Sequence, residues 1–192
     1  MVLTINHNAP KTMIRDTLPA RSSDASTLTR LTRQLDAAFD APADFARLVR
    51  EALSAAARDE RLLAPAQREG DANRYTRHLL AADPRGRYAV AALVWAPGQA
   101  SPVHAHRTWC GYAVIEGSLV ETLFRWNPDE NRAYAVGEQA RDAGAVSFAG
   151  AGRGAIHQLG NAAHARQRAI SLHVYGVAGA HIATHVNDLV AV

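Results

Sequence analysis

Along the chain, apolar residues recur first at helical spacing and then at strand spacing. Leu28, Leu31, Leu35, Ala38 and Phe39 fall on one stripe and predict a helix over residues 26–39. Asp40-Ala41-Pro42 then reads as a stop and a fresh start, with proline in the first turn. Phe45, Leu48, Val49, Ala52, Leu53 and Ala56 predict a second helix over 43–57, and a short helical piece over 61–63 precedes Pro65. Each stripe is one-sided, so these helices read as cover packed on something larger. Residues 1–23 are polar, hold Pro10 and Pro19, and read as an extended arm.

From Asn73 the texture changes to short apolar or alternating runs, at 74–80, 87–95, 110–116, 118–126, 145–148, 156–159, 168–175 and 189–192. Turn signals divide them: Asp83-Pro84-Arg85-Gly86, Glu116-Gly117, Asn127-Pro128-Asp129 and the glycines from Gly150 to Gly154. Many short strands at this spacing predict a mainly β sandwich or barrel. The run 87–95 is apolar on both faces, as expected of a strand covered by helices. The expected organisation is an arm over 1–23 and one domain over 24–192, in which helices over 24–70 pack on a barrel over 73–192.

The 192 residues suffice for one domain with its own core, and 48% hydrophobic against 20% charged content is that of a globular chain. No run is long enough for a membrane helix, and residues 1–12 lack a charged-then-apolar leader, so no membrane partner is expected. The single cysteine, Cys110, excludes an internal disulfide and suits a reducing cytoplasm. The net charge of +3 comes from arginines spread among acidic residues, with Lys11 the one lysine. No basic block emerges, which argues against nucleic acid. The oligomeric state is not legible.

The chemistry gathers at Gly98-Gln-Ala-Ser-Pro-Val-His104-Ala-His106. On a strand, the period of two puts both imidazoles on one face, which makes half of a metal site. Alone, such a pair is common and carries little. A third histidine follows in Gly152-Arg-Gly154-Ala-Ile-His157-Gln-Leu-Gly-Asn161. Two further runs alternate polar side chains on one strand face, Tyr75-Thr-Arg77 and Ser171-Leu-His173-Val-Tyr175. Read alone, Ser171 and His173 make an ordinary strand pair and Arg77 a surface charge. His7, His78, His164, His181 and His185 lack such context and are left as surface or structural.

Gly98-x5-His104-x-His106, Gly117 and Gly154-x2-His157-x3-Asn161 together resemble the paired signature of the cupin superfamily. Gly152 stands where proline is usual. The resemblance implies a jelly-roll β-barrel, here with an N-terminal helical cover, whose mouth holds one metal. Most metal cupins add a glutamate ligand after the His-x-His pair. That place falls on Cys110 or Gly111, and Glu116 has the wrong spacing, leaving three neutral nitrogens. Such a set also suits zinc.

Pro102 to Cys110, Tyr75-Thr-Arg77 and Ser171-x-His173-x-Tyr175 resemble the thiol dioxygenases, most closely the cysteine dioxygenase family. The resemblance implies Fe(II) held by His104, His106 and His157, and transfer of both atoms of O2 to a substrate thiol, giving a sulfinate. It also implies a small thiol substrate with a carboxylate gripped by Arg77, with Tyr75 assisting. Tyr175 is then a phenol near the reacting oxygen, held through His173 and Ser171, and Cys110 a cross-link partner for it. Arg77 favours L-cysteine, whereas Trp109 is reminiscent of relatives that use 3-mercaptopropionate. Arg107 and Arg153 flank metal ligands and leave mercaptosuccinate conceivable. The rival readings are a metal-binding cupin without turnover and a zinc or manganese isomerase or hydrolase.

Overall fold

Ser26 opens the first helix, α1 (Thr27–Phe39), by accepting the backbone N–H of Thr29 on its hydroxyl at 3.2 Å. The computed structural model describes residues 26–192 and the backbone of Ile14–Asp16; the rest of the expected arm lies outside the described residues. A 3-10 turn, Pro42–Asp44, separates α1 from α2 (Phe45–Ala57), so the second helix begins two residues later than its stripe suggests. Proline fixes the backbone for that turn and contributes no N–H to it. The short piece expected near 61–63 is a pair of 3-10 turns, Glu60–Leu62 and Pro65–Arg68.

Among the described residues, eleven strands follow one another as β1 (Ile14–Asp16), β2 (Thr76–Ala82), β3 (Ala89–Trp95), β4 (His104–His106), β5 (Cys110–Glu116), β6 (Ser118–Asn127), β7 (Arg132–Asp142), β8 (Val146–Ala149), β9 (Gly152–Gly160), β10 (Ala169–Tyr175) and β11 (Asn187–Leu189). They form two sheets, β1-β2-β3-β10-β5-β8 and β11-β4-β9-β6-β7. Apart from the parallel pairing of β1 with β2, every neighbour is antiparallel. The fold is mainly β, a double-sheet barrel with a helical cover.

The central strands are buried on both faces, as the run 87–95 predicts. Val90, Ala92 and Val94 of β3, with Ile170, Leu172 and Val174 of β10, meet Leu31, Leu35, Val49 and Leu53 of the helices. Fully burying each large aliphatic side chain stabilises by about 1.5–3 kcal/mol. The alternate residues of these strands, Leu93 and Trp95 on β3 and Tyr175 on β10, face a second apolar cluster between the sheets. Period two therefore turns Ser171 and His173 inward with Tyr175. At the β2–β3 turn, buried Asp83 accepts Arg87 Nε–H at 2.6 Å, and Arg87 reaches Asp36 on α1 and covers the Phe39 ring.

Two strands depart from the pattern. β7 spans eleven residues whose short apolar stretch, Ala133 to Val136, lies mostly at the surface, because it is an edge strand on which only Ala133 is buried. The last strand is Asn187–Leu189 rather than 189–192, and it pairs with β4. Gly117 closes the β5–β6 turn at φ +74°, where a Cβ would lie 2.9 Å from the Arg168 carbonyl, so only glycine fits.

Candidate functional site

β4 presents His104 and His106 from one face, and its pairing with β9 sets His104 opposite His157. The three imidazoles are buried, with ring centres 4.7–5.1 Å apart and ligand nitrogens all within 4.8 Å of one another. Burial lowers His104 to about 3 and His106 to about 4, with nearby His157 acting in the same direction on both. Both are thus neutral at pH 7, with lone pairs available. The Nδ1–H of His104 is directed to the Pro102 carbonyl at 2.8 Å, which leaves Nε2 bare toward the common point. This donor set fits a divalent transition metal.

Among the described residues, no carboxylate joins the three histidines. The nearest, Glu121 on β6, stands behind them: its Oε1 lies 2.7 Å from His157 Nδ1, and Gln139 donates to its Oε2 at 2.8 Å. Burial acts to raise its pKa, but the bond from His157, the adjacent charges and Gln139 outweigh burial and hold it below the usual range. The sequence carries one signal for Glu121, a carboxylate on the same strand face as buried Leu119, but no ligand spacing marks it.

In front of the histidines, Tyr75, Arg77, Cys110, His173 and Tyr175 line one narrow chamber. Ser171 lies in the wall beneath it. Arg77 is 3% exposed; its Nη1 donates to the Ile182 carbonyl at 2.6 Å, and among the described residues its Nε has no partner. Its guanidinium carbon lies 5.4 Å from the Tyr175 ring centre. Tyr75 stacks on Trp95 with centres 4.4 Å apart. The chamber opens beside Tyr75, Arg77, Ser101 and Asn187 into a vestibule of about 700 Å³, which exposed Arg107 also lines. Arg153 is directed elsewhere, over the Trp126 ring and toward Asp188.

Ser171, His173 and Tyr175 form a connected chain, with Ser171 Oγ 2.8 Å from His173 Nε2 and His173 Nδ1 3.1 Å from the Tyr175 oxygen. Trp95, which the sequence reading did not single out, sets its direction. Its indole N–H can only donate, and it donates to Ser171 at 2.9 Å. Burial lowers His173 far below the ordinary imidazole range, so the ring carries one proton. Leaving the buried serine proton unpaired is costly, so it is directed to Nε2, and Nδ1–H to Tyr175. The phenol hydrogen of Tyr175 is then free to face the chamber. Burial raises the Tyr175 pKa, keeping it protonated. Tyr112 stacks on His173 from the other side, and its hydroxyl accepts Arg141 Nε–H at 2.8 Å.

The fold is a double-sheet barrel with a three-histidine cluster able to hold a metal. The family model for Cysteine dioxygenase type I matches residues 16–183. The chain belongs to that family. Cysteine dioxygenase type 1 of Homo sapiens is 32% identical over 108 residues, which is 55% of this chain and 52% of that protein. Cysteine dioxygenase type 1 of Danio rerio is 30% identical over 109 residues, with the same coverage of 55% and 52%. The chain thus matches about half the length of these curated relatives. Among solved structures, a cupin superfamily protein from Desulfitobacterium hafniense is 18% identical, covering 62% of this chain and 93% of that one with a TM-score of 0.44. The TT1209 protein of Thermus thermophilus is 21% identical, covering 60% and 96% with a TM-score of 0.45.

Proposed function

We propose that the protein is an Fe(II)-dependent thiol dioxygenase acting on a small carboxylated thiol, with L-cysteine as substrate and cysteine sulfinate as product. The observation that carries the reading is Arg77, a buried guanidinium whose Nε has no partner among the described residues, in the same chamber as the three histidines. A buried guanidinium with no carboxylate beside it among the described residues is expensive, and a substrate carboxylate is the group that would relieve it. In this reading His104, His106 and His157 hold the metal and Tyr75 shapes the carboxylate pocket against Trp95.

When bound, Fe(II) would supply the Lewis acidity that converts the thiol to thiolate and the redox centre for O2 addition to sulfur. The protein's own part is positioning. Arg77 would fix one end of the substrate so that its sulfur reaches the histidine cluster. Tyr175, oriented by His173, Ser171 and Trp95, would direct its phenol hydrogen at the reacting oxygen atoms. The narrow chamber would exclude bulk water. The buried single thiol of Cys110 is in keeping with a reducing cytoplasm.

Oxygen uptake by iron-loaded protein, with sulfinate identified by mass spectrometry, tests this over L-cysteine, 3-mercaptopropionate, mercaptosuccinate and cysteamine. Cysteine is the expected substrate and cysteamine, which lacks a carboxylate, the poor one. A second reading, a dicarboxylic thiol, rests on Arg107 at the vestibule wall. Preference for mercaptosuccinate would select it, and uptake with none of the thiols would sink both.

A further inference from the structure

We propose that Glu121 is the anionic partner of the metal centre, a positioning residue acting through His157; this rests on the metal-site reading above. Three neutral imidazoles place no protein charge directly on a divalent ion. Glu121 supplies one from behind. It lies two residues before Leu123, the register partner of His157, so its carboxylate reaches the imidazole diagonally across the β6–β9 ladder.

The carboxylate is held on both oxygens. Oε1 accepts the Nδ1–H of His157 at 2.7 Å. Oε2 accepts Gln139 at 2.8 Å and lies 3.3 Å from Nε of Arg141, which also donates to Tyr112. Gln139 and Arg141 both come from the edge strand β7, so that strand fixes the carboxylate plane. The glutamate is 4% exposed. The arrangement places a proton of His157 on Nδ1, so that Nε2 is the nitrogen offered to a metal, and a carboxylate partner makes that ring a stronger donor than His104, whose partner is a neutral carbonyl. A carboxylate that served only to anchor Arg141 would need no bond to a metal-facing imidazole.

The test is a titration of metal-free protein with Co(II) alone, without oxygen, comparing wild type, Glu121→Gln and Glu121→Ala. Glutamine keeps an acceptor for Nδ1–H but loses the charge. The expected result is binding about 10- to 100-fold weaker for Glu121→Gln, and at least as weak for Glu121→Ala with an altered visible Co(II) spectrum. A purely structural role would lower the metal-free melting temperature and leave Co(II) affinity unchanged, which overturns the proposal. Wild-type affinity in Glu121→Gln with loss only in Glu121→Ala also overturns it, since a neutral acceptor would then suffice. Should either variant fail to fold, nitrogen NMR of the wild-type imidazoles decides. Protonated Nδ1 on His157 supports the assignment and protonated Nε2 refutes it. Absence of Co(II) or Fe(II) binding by wild type would instead bring down the metal-site reading itself.

Discussion

Cys110 on β5 and Tyr175 on β10 are register partners, directly opposite each other across one antiparallel ladder, and both line the chamber in front of the three histidines. Directly opposed side chains on paired strands start about 4.5–5.5 Å apart at Cβ. Burial pushes the Cys110 thiol up to about 12, so it is inert toward ordinary alkylation. Cross-linking by the site's own oxidising chemistry is a separate matter. A thioether between Sγ and the phenol ring removes one hydrogen from each group, with O2 as the acceptor. Turnover with iron and oxygen is expected to lower the intact mass by two hydrogens and shift the gel mobility. Cys110→Ser abolishes both changes, and an unaltered mass after many turnovers counts against the cross-link.

Arg77 yields a prediction about substrate ends rather than chemistry. Arg77→Ala removes a charged, two-pronged contact, and hydrogen bonds to charged groups contribute about 1.5–3 kcal/mol each. The expected loss in kcat/KM for carboxylated thiols is thus about 10²–10³-fold. Cysteamine, with no carboxylate, should lose little. Arg77→Lys restores charge without the fork and recovers only part of the loss. An equal loss for all thiols would show that Arg77 supports the fold or the metal instead.

Metal content gives the most direct check on the histidines. Replacing His104, His106 or His157 singly by alanine leaves two nitrogens, too few to hold a dication against solvent. Elemental analysis is expected to fall from near stoichiometric iron to near zero in each variant. Chelation should silence wild type, with recovery on adding Fe(II) but not Zn(II). Recovery with zinc would favour a non-redox cupin.

The β2–β3 turn offers a test of stability against pH. Asp83 is held at about 2, chiefly by hydrogen bonding from the Arg87 side chain. Its folded value is below the unfolded carboxylate value of about 3.9. The stabilisation is therefore complete above about pH 4 and is lost as pH falls toward 2. Asp83→Asn should cost on the order of 1–2 kcal/mol at pH 7, and the gap from wild type should close below pH 4. Melting temperatures of both proteins across pH 2–8 would show it, and a constant gap would refute it.

The sequence was most legible where burial is one-sided or periodic. The stripes of α1 and α2 and the doubly apolar β3 announce themselves because each apolar residue has one place to go. His104 with His106, and Ser171 with His173 and Tyr175, were legible as same-face sets because period two fixes their faces. Joining them to His157 took the family resemblance, since β4 and β9 are far apart in the chain. β7 was not, because an edge strand with one buried residue has no alternating hydrophobic signature. Glu121 escaped because its bond to His157 depends on the β6–β9 register, and Trp95 because an indole among valines reads as core. Contacts set by register between distant strands are what a linear pattern leaves out.

Trp95 itself gives the last prediction. Its indole fills the apolar space beside Tyr75 and donates to Ser171 at 2.9 Å, so one residue both packs the wall and orients the chain to Tyr175. Trp95→Phe keeps an aromatic face against Tyr75 but deletes the donor. Ser171 then loses the donor that holds its hydroxyl in place, so the rotamers of Ser171 and His173, and with them the direction of the Tyr175 proton, are no longer locked. A lost hydrogen bond alone costs about 1 kcal/mol of stability. The larger expected effect is a roughly tenfold lower kcat, of the order seen for general acid–base groups that are misdirected rather than removed. KM should stay near wild type, because Arg77 is untouched. Tyr175→Phe should fall at least as far, and adding Trp95→Phe to it should cost little more, since both act through one proton. Additive losses in the double variant would mean that Trp95 matters for packing and not for the orientation of the phenol.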